Sequence, residues 1–159
     1  MDDLNHHLDQ LAGLLTTARR HGERLVLITG GNWQQRTELL KSTATAHDLT
    51  YLSLGLPLSR VLLDLLPHER PLALEEQVVA MAGAGPCGLA LDHVEILFDP
   101  ELKTDPVRLV EVLARDRVVL VAWPGEYDGQ RMTYAEPAHP EHYSRAVSDI
   151  QFYSLEVIV

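Results

Sequence analysis

The fold is decided by the stretch Leu25-Val26-Leu27-Ile28-Thr29-Gly30-Gly31-Asn32. Its first part is a short apolar run, which is typical of a strand buried on both faces of a parallel sheet. The two glycines and the asparagine then interrupt the strand, and residues 37–46 can form a helix. The stretch therefore predicts a strand–turn–helix unit of an α/β protein.

The rest of the chain repeats this alternation of apolar strands and helices. Further strands are predicted at 51–54, 88–92, 118–122 and 152–159, and further helices at 58–66, 73–81 and after Asp105-Pro106. Gly55 is expected to close the first of these strands, Pro67 to stop a helix, and the cluster 83–86 to separate a helix from a strand. The alternation predicts a mainly parallel sheet of about five strands flanked by helices. The polar stretch 125–145 shows only a weak hairpin signal at Asp128-Gly129.

An amphipathic helix is predicted before this core. Its apolar residues recur at spacings of three and four, which places them on one stripe: Leu4, Leu8, Leu11, Leu15 and Ala18. Basic residues suit the negative end of its dipole, and Gly22 is placed to end the helix. A length of 159 residues matches one domain. We therefore expect a single domain over 1–159, with an N-terminal helix in 1–22 and an α/β core in 25–159.

Composition restricts the location and the partners. Hydrophobic residues are 46% of the chain and charged residues 23%, and no apolar run is long enough to span a membrane. Cys87 is the only cysteine, which excludes a disulfide framework and favours a cytoplasmic, reducing location. The net charge of −10 argues against direct binding of nucleic acid by the isolated chain. It is compatible with a homo-oligomer and with a complex of different proteins.

The residues after the first strand resemble a degenerate phosphate-binding loop. A P-loop reads Gly, four residues, Gly, Lys and then Ser or Thr, between a strand and a helix. In Gly30-Gly31-Asn32-Trp33-Gln34-Gln35-Arg36-Thr37 the first glycine and the final hydroxyl residue are kept. Gln35 replaces the second glycine, and Arg36 replaces the lysine.

These replacements weaken the motif without abolishing it. Backbone N–H groups and the helix dipole still favour an anion at this position. However, Gln35 obstructs close approach to the backbone, and Arg36 is not equivalent to a compact ammonium. Trp33 is placed either to stack on a base or to pack. A strand–turn–helix junction without any ligand explains the same residues.

Asp92 ends a predicted strand, as the metal-binding aspartate of a P-loop NTPase does. Together with Thr37 it is expected to hold Mg²⁺ on bound ATP. His93 occupies the position where an active ATPase usually has the glutamate that orients water, and Glu95 is the nearest acid. Taken alone, Asp92 is also explained as an ordinary acid at the end of a strand.

Two arginines precede the predicted strand 118–122. Arg115 or Arg117 is a candidate arginine finger for the site of a neighbouring subunit, where it would stabilise transition-state charge. Cations at the carboxyl end of a helix are the commoner explanation. The candidate catalytic residues are therefore these two arginines and Glu95.

The second half of the chain contains several distinctive strings. They are Leu91-Asp92-His93-Val94-Glu95-Ile96-Leu97-Phe98-Asp99-Pro100, Lys103-Thr104-Asp105-Pro106-Val107-Arg108-Leu109, Ala114-Arg115-Asp116-Arg117, Ala122-Trp123-Pro124-Gly125 and Thr133-Tyr134-Ala135-Glu136-Pro137-Ala138-His139-Pro140-Glu141. In these strings, and in overall length and order of elements, the chain resembles the BrxF family. These are small P-loop-containing proteins of bacterial BREX (bacteriophage exclusion) defence systems, especially of type 3.

The resemblance implies a P-loop NTPase-like fold and a place beside other BREX proteins in the bacterial cytoplasm. The family usually carries an intact Gly-Lys-Thr, from which Gln35 and Arg36 depart. We therefore expect a small subunit that binds ATP and Mg²⁺ and hydrolyses ATP weakly or only with a partner. The alternative is a pseudo-NTPase adaptor that scaffolds larger BREX subunits without nucleotide, docking through its N-terminal helix.

Overall fold

A computed structural model describes residues 2–83 and 88–155. The helices are α1 (Asp2–Arg20), α2 (Trp33–His47), α3 (Gly55–Leu63), α4 (Arg70–Ala82) and α5 (Pro106–Leu113), and the strands are β1 (Leu25–Thr29), β2 (Thr50–Ser53), β3 (Leu89–Asp92), β4 (Val119–Ala122), β5 (Glu126–Tyr127), β6 (Arg131–Tyr134), β7 (Tyr143–Ala146) and β8 (Gln151–Ser154). The end of the predicted strand 152–159 and most of the cluster 83–86 lie outside the described residues. None of the helices in the described ranges is long and apolar enough to cross a membrane.

The predicted five-stranded parallel sheet flanked by helices is confirmed, and its strand order is β2-β3-β4-β1-β8. β1 lies between β4 and β8, so that Leu27 pairs with Val121 on one side and Phe152 on the other. The chain leaves β1 for the far strand β2 but leaves β4 toward β8, in the opposite direction. A topological switch point therefore lies between the carboxyl ends of β1 and β4, which is where ligands of open α/β sheets bind.

Alternate side chains of the sheet face two separate cores. Ile28 packs in a core with α1 and α2, whereas Leu27 packs in a core with α3, α4 and α5. The second half of the apolar stripe of α1 is covered by the chain itself, since Leu11, Leu15 and Ala18 are at most 1% exposed. The predicted amphipathic helix is thus confirmed. Leu4 and Leu8, nearer its beginning, are only half-buried against the same core, so docking of a partner through this helix stays a prediction.

Three helices begin earlier than predicted: α4 begins at Arg70 instead of residue 73, and α2 and α3 show the cause. α2 begins at Trp33 because Asn32 caps it through a reciprocal pair of hydrogen bonds with Gln35. α3 begins at Gly55, the residue that was expected to close β2, and the N–H of Leu54 makes the last hydrogen bond to β3. Local capping and strand pairing therefore decide these boundaries.

The polar stretch 125–145 forms a three-stranded antiparallel sheet with the order β5-β6-β7. The hairpin signal at Asp128-Gly129 is confirmed, because the Asp128 carboxylate accepts hydrogen bonds from the backbone N–H groups of Gln130 and Arg131. β7 is fixed to the beginning of α5, where the capping carboxylate of Asp105 accepts hydrogen bonds from Tyr143 and Arg145. Short strands that mix polar and apolar residues give no apolar run, which is why the sequence pattern does not reveal β6 and β7.

Candidate functional site

The carboxyl edge of the parallel sheet brings together two residues that the sequence places far apart. The Oγ1 of Thr37, on α2, donates a hydrogen bond of 2.8 Å to the Oδ2 of Asp92, at the end of β3. Asp92 is only 3% exposed, although it is a carboxylate. Buried carboxylates are rare unless they are paired or hydrogen-bonded, so this pair is the first candidate for a functional role.

Asp92 has further donors around it. The hydroxyl of Tyr51 donates to Oδ2 at 2.7 Å, and the N–H of His93 donates to Oδ1 at 2.9 Å. Burial, together with the hydrogen bond to Asp92, raises the pKa of Tyr51. Tyr51 therefore remains a proton donor to Asp92 at ordinary pH. Sequence analysis missed this residue because its role depends on β2 lying beside β3, which the sequence pattern does not reveal.

The turn between β1 and α2 is shorter than a phosphate-binding loop would predict. Gly30 and Gly31 both have positive φ, of 77° and 60°, and the helix begins directly after Asn32. The side chain of Asn32 accepts from the N–H of Gln35 at 2.8 Å, while Gln35 Oε1 accepts from the N–H of Asn32 at 2.9 Å. Trp33, Gln34 and Gln35, predicted to belong to the loop, therefore form the first turn of α2.

Gln35 fills the space above this turn. A Cβ placed on Gly31 would lie 2.6 Å from Gln35 Oε1, so the amide group is packed against the glycine. Its oxygen already satisfies one of the backbone N–H groups that an anion would otherwise use. An incoming phosphate must therefore displace the Gln35 side chain or bind beside it.

Arg36 stays close to the turn. Its guanidinium donates to the carbonyl oxygens of Gly30 at 3.0 Å and Gly31 at 3.2 Å. Burial lowers its pKa, while the nearby negative charges of Glu95 and Asp92 act in the opposite direction. An arginine remains charged under such conditions. The site therefore keeps a fixed positive charge where a P-loop has its lysine.

An aromatic pair borders the same site. The ring centroids of Trp33 and His93 are 5.9 Å apart, and Trp33 is 54% exposed. His93 has a left-handed backbone with φ of 54°, which turns the chain sharply after β3. Trp33 thus lies at the surface next to the site, with about half of its area exposed to solvent.

Arg115 and Arg117 lie elsewhere in the chain. Both precede β4, at the amino edge of the sheet, whereas Asp92 lies at the carboxyl edge. Arg117 donates to the carbonyl oxygens of Ala82 and Gly83 at the end of α4, which gives it a structural role. Within one chain neither arginine reaches the site, so their action on a neighbouring subunit stays a prediction.

Thr37 and Asp92 are suitable ligands for Mg²⁺. In the described ranges no three His, Cys, Asp or Glu side chains are grouped so that they would hold a metal by themselves. Mg²⁺ is usually held by one or two carboxylates together with phosphate oxygens, at about 2.0–2.1 Å in an octahedron. The two oxygens of the pair are 2.8 Å apart, so that both could contact one ion. The pair therefore fits a metal that arrives with a phosphate.

A cleft of about 710 Å³ opens beside the Gly30-Gly31 turn. One wall is formed by the ends of β1 and β8 and by the beginning of α2, and the other by β5, β6 and the segment before them. Its lining residues are Thr29, Gly30, Gly31, Arg36, Phe152 and Ser154 on the first wall, and Pro124, Gly125, Glu126, Tyr127, Asp128, Arg131 and Thr133 on the second. This volume is in the range of small-molecule sites.

Comparisons with known proteins assign neither a family nor a function, so a functional assignment depends on the residues described above. The sequence matches no protein-family model. A search of curated proteins and a search of solved structures likewise give no match.

Proposed function

We propose that this chain is a small Mg²⁺·ATP-binding subunit of a BREX-type anti-phage complex, with weak or partner-dependent hydrolysis. The observation that carries the nucleotide part is the contact of Thr37 with Asp92 beside the Gly30-Gly31 turn. The BREX part is supported by the resemblance of the segments between residues 91 and 141 to the BrxF family. A cytoplasmic complex with other BREX proteins follows from the same resemblance.

In this proposal each residue has a limited task. Thr37 and Asp92 would hold Mg²⁺, which would neutralise charge on the phosphates. The first N–H groups of α2 and the guanidinium of Arg36 face the same phosphates. His93 cannot act as the carboxylate that orients water, and Glu95 is already in the electrostatic neighbourhood of Arg36. Slow hydrolysis is therefore expected unless a partner supplies the missing group.

Calorimetric titration with Mg·ATP tests the role of the hydroxyl. Thr37→Val removes the hydroxyl with little change of shape, and Thr37→Ser keeps it as the matched control. Loss of an outer partner of a metal ligand already costs about 10–100-fold in affinity, so Thr37→Val should weaken binding by at least about tenfold. Equal affinity of the two variants would contradict the proposed site.

A second function is favoured by one observation, the mutual capping of Asn32 and Gln35. If these bonds persist, the turn offers too few free donors and the chain is an adaptor without nucleotide. This alternative expects no heat from the folded protein at millimolar Mg·ATP. The adaptor alternative also predicts that variants with substitutions in the turn still confer phage resistance. A folded variant that no longer confers resistance would argue against this alternative.

A further inference from the structure

The 710 Å³ cleft reaches from the end of β8 to the segment after β4, whereas the proposed metal pair lies further along the sheet edge, at β3. Asp92 belongs to β3, on the β4 side of β1, whereas Phe152 and Ser154 in the cleft belong to β8, on its other side. Arg36 connects the two regions, because it lines the cleft and because the negative charge of Asp92 acts on its pKa. The Gly30-Gly31 turn therefore separates a metal side from a cleft side.

This arrangement gives a bound nucleotide a direction. Thr37 and Asp92 would hold Mg²⁺ at the β- and γ-phosphate end of a nucleoside triphosphate. If these phosphates bind at Thr37 and Asp92, the α-phosphate and the nucleoside lie at the end away from the metal. The α-phosphate and the nucleoside would then lie on the other side of the turn, in the cleft.

The lining of the cleft suits a nucleoside. The guanidinium of Arg131 is exposed and planar, and the half-buried ring of Phe152 packs edge-on against Tyr127 at 5.0 Å. A planar cation and an aromatic ring are surfaces on which a base stacks. Within the described residues, the carboxylate of Glu126 has no side-chain hydrogen bond and no ion pair. Carboxylates accept hydrogen bonds from ribose hydroxyls.

We propose that this cleft binds the nucleoside half of the nucleotide, with the base against Arg131 and the ribose near Glu126. The inference rests on the proposed function and adds to it a specific site for base and sugar. Arg131 is a positioning residue in this assignment, since it contacts the base and not the reacting phosphates.

Titrations with two ligands separate the cleft from the phosphate site. Mg·ATP carries a nucleoside, and Mg·tripolyphosphate carries only the phosphates. Arg131→Ala should weaken ATP binding about fivefold and leave tripolyphosphate binding unchanged. Arg131→Lys keeps the charge but loses the plane, and it should behave like the alanine variant. Arg60→Ala, an exposed arginine on α3, is the matched control and should change neither ligand.

Each other result has a distinct meaning. If Arg131→Ala lowers the affinity for both ligands equally and Arg131→Lys restores it, Arg131 acts through long-range electrostatics. That result would overturn the proposed contact with the base. Unchanged ATP affinity in both variants would overturn the cleft assignment and leave the metal pair intact. If the parent protein binds neither ligand while folded, the proposed function itself fails and the cleft assignment fails with it.

Discussion

Replacing Gln35 by alanine should increase the affinity for nucleotide. The Oε1 of Gln35 accepts the N–H of Asn32 at 2.9 Å and packs against Gly31, so its removal frees both a donor and space. The net contribution of an intramolecular hydrogen bond is about 1 kcal/mol. In the alanine variant a phosphate no longer has to displace this bond. Since 1.4 kcal/mol corresponds to a factor of ten, the expected gain is about fivefold in the affinity for Mg·ATP.

The same substitution should slightly destabilise the fold. Gln35 makes only one half of the capping box, while Asn32 keeps its bond to the N–H at position 35. The expected cost is about 0.5–1 kcal/mol, which lowers the melting temperature by about 1–4 °C in a domain of this size. Alanine is preferred to glycine here because a glycine in the first turn would add a further cost in helix propensity.

Calorimetry with Mg·ATP and thermal unfolding of the same samples test both parts. Gln34→Ala is the matched control, because Gln34 is the exposed neighbour in the same helical turn and takes no part in the capping box. It should change neither the affinity nor the melting temperature. An unchanged or lower affinity in a folded Gln35→Ala protein would refute the argument that this side chain competes with phosphate.

Two further predictions concern stability. Asp92→Ala should lower the free energy of unfolding in urea by about 3 kcal/mol, because three donors lose their acceptor at about 1 kcal/mol each; a loss below about 1 kcal/mol would mean that the cluster is dispensable. The pKa of every tyrosine lies above the ordinary 10.0, mainly because of burial: Tyr51, Tyr127, Tyr134, Tyr143 and Tyr153. Because folding raises these values, their contribution to stability is complete below pH 10 and is lost as the pH rises further. Urea unfolding at pH 8 to 11 should show this fall, and native phenolate absorbance with a midpoint near 10 would contradict it.

The sequence predicts those parts of the fold in which an apolar pattern and a local signal agree. β1, β3 and β4 are continuous apolar runs, and α5 begins with the capping Asp105 followed by Pro106, so all four elements were predicted close to their observed bounds. The small antiparallel sheet was not predicted because it is stabilised by tertiary contacts such as that of Tyr143 with Asp105. Such contacts leave no periodic pattern in the strands themselves.

The candidate site likewise has one part that the sequence predicts and another part that it does not. The contact of Thr37 with Asp92 was predictable, because each residue follows a recognisable strand and the carboxyl ends of parallel strands meet. Tyr51 and the cleft beside β8 depend on the order of the strands, which a sequence pattern does not contain. The capping box of Asn32 and Gln35 had a readable signal, an N-cap residue followed three positions later by glutamine. It was missed because the same residues were compared only with a phosphate-binding loop.

The choice between a nucleotide-binding subunit and an adaptor therefore depends on one competition at the beginning of α2. The backbone N–H groups there are the donors that an anion needs, and in this chain Asn32 and Gln35 satisfy two of them internally. Each such bond has a net worth of about 1 kcal/mol, whereas a hydrogen bond to a charged group is worth about 1.5–3 kcal/mol. A phosphate that also gains Mg²⁺ at Thr37 and Asp92 should therefore win, but with lower affinity than at a loop whose donors are free. If the proposed function holds, Gln35 should set how tightly nucleotide binds, and the contact of Thr37 with Asp92 should determine whether it binds at all.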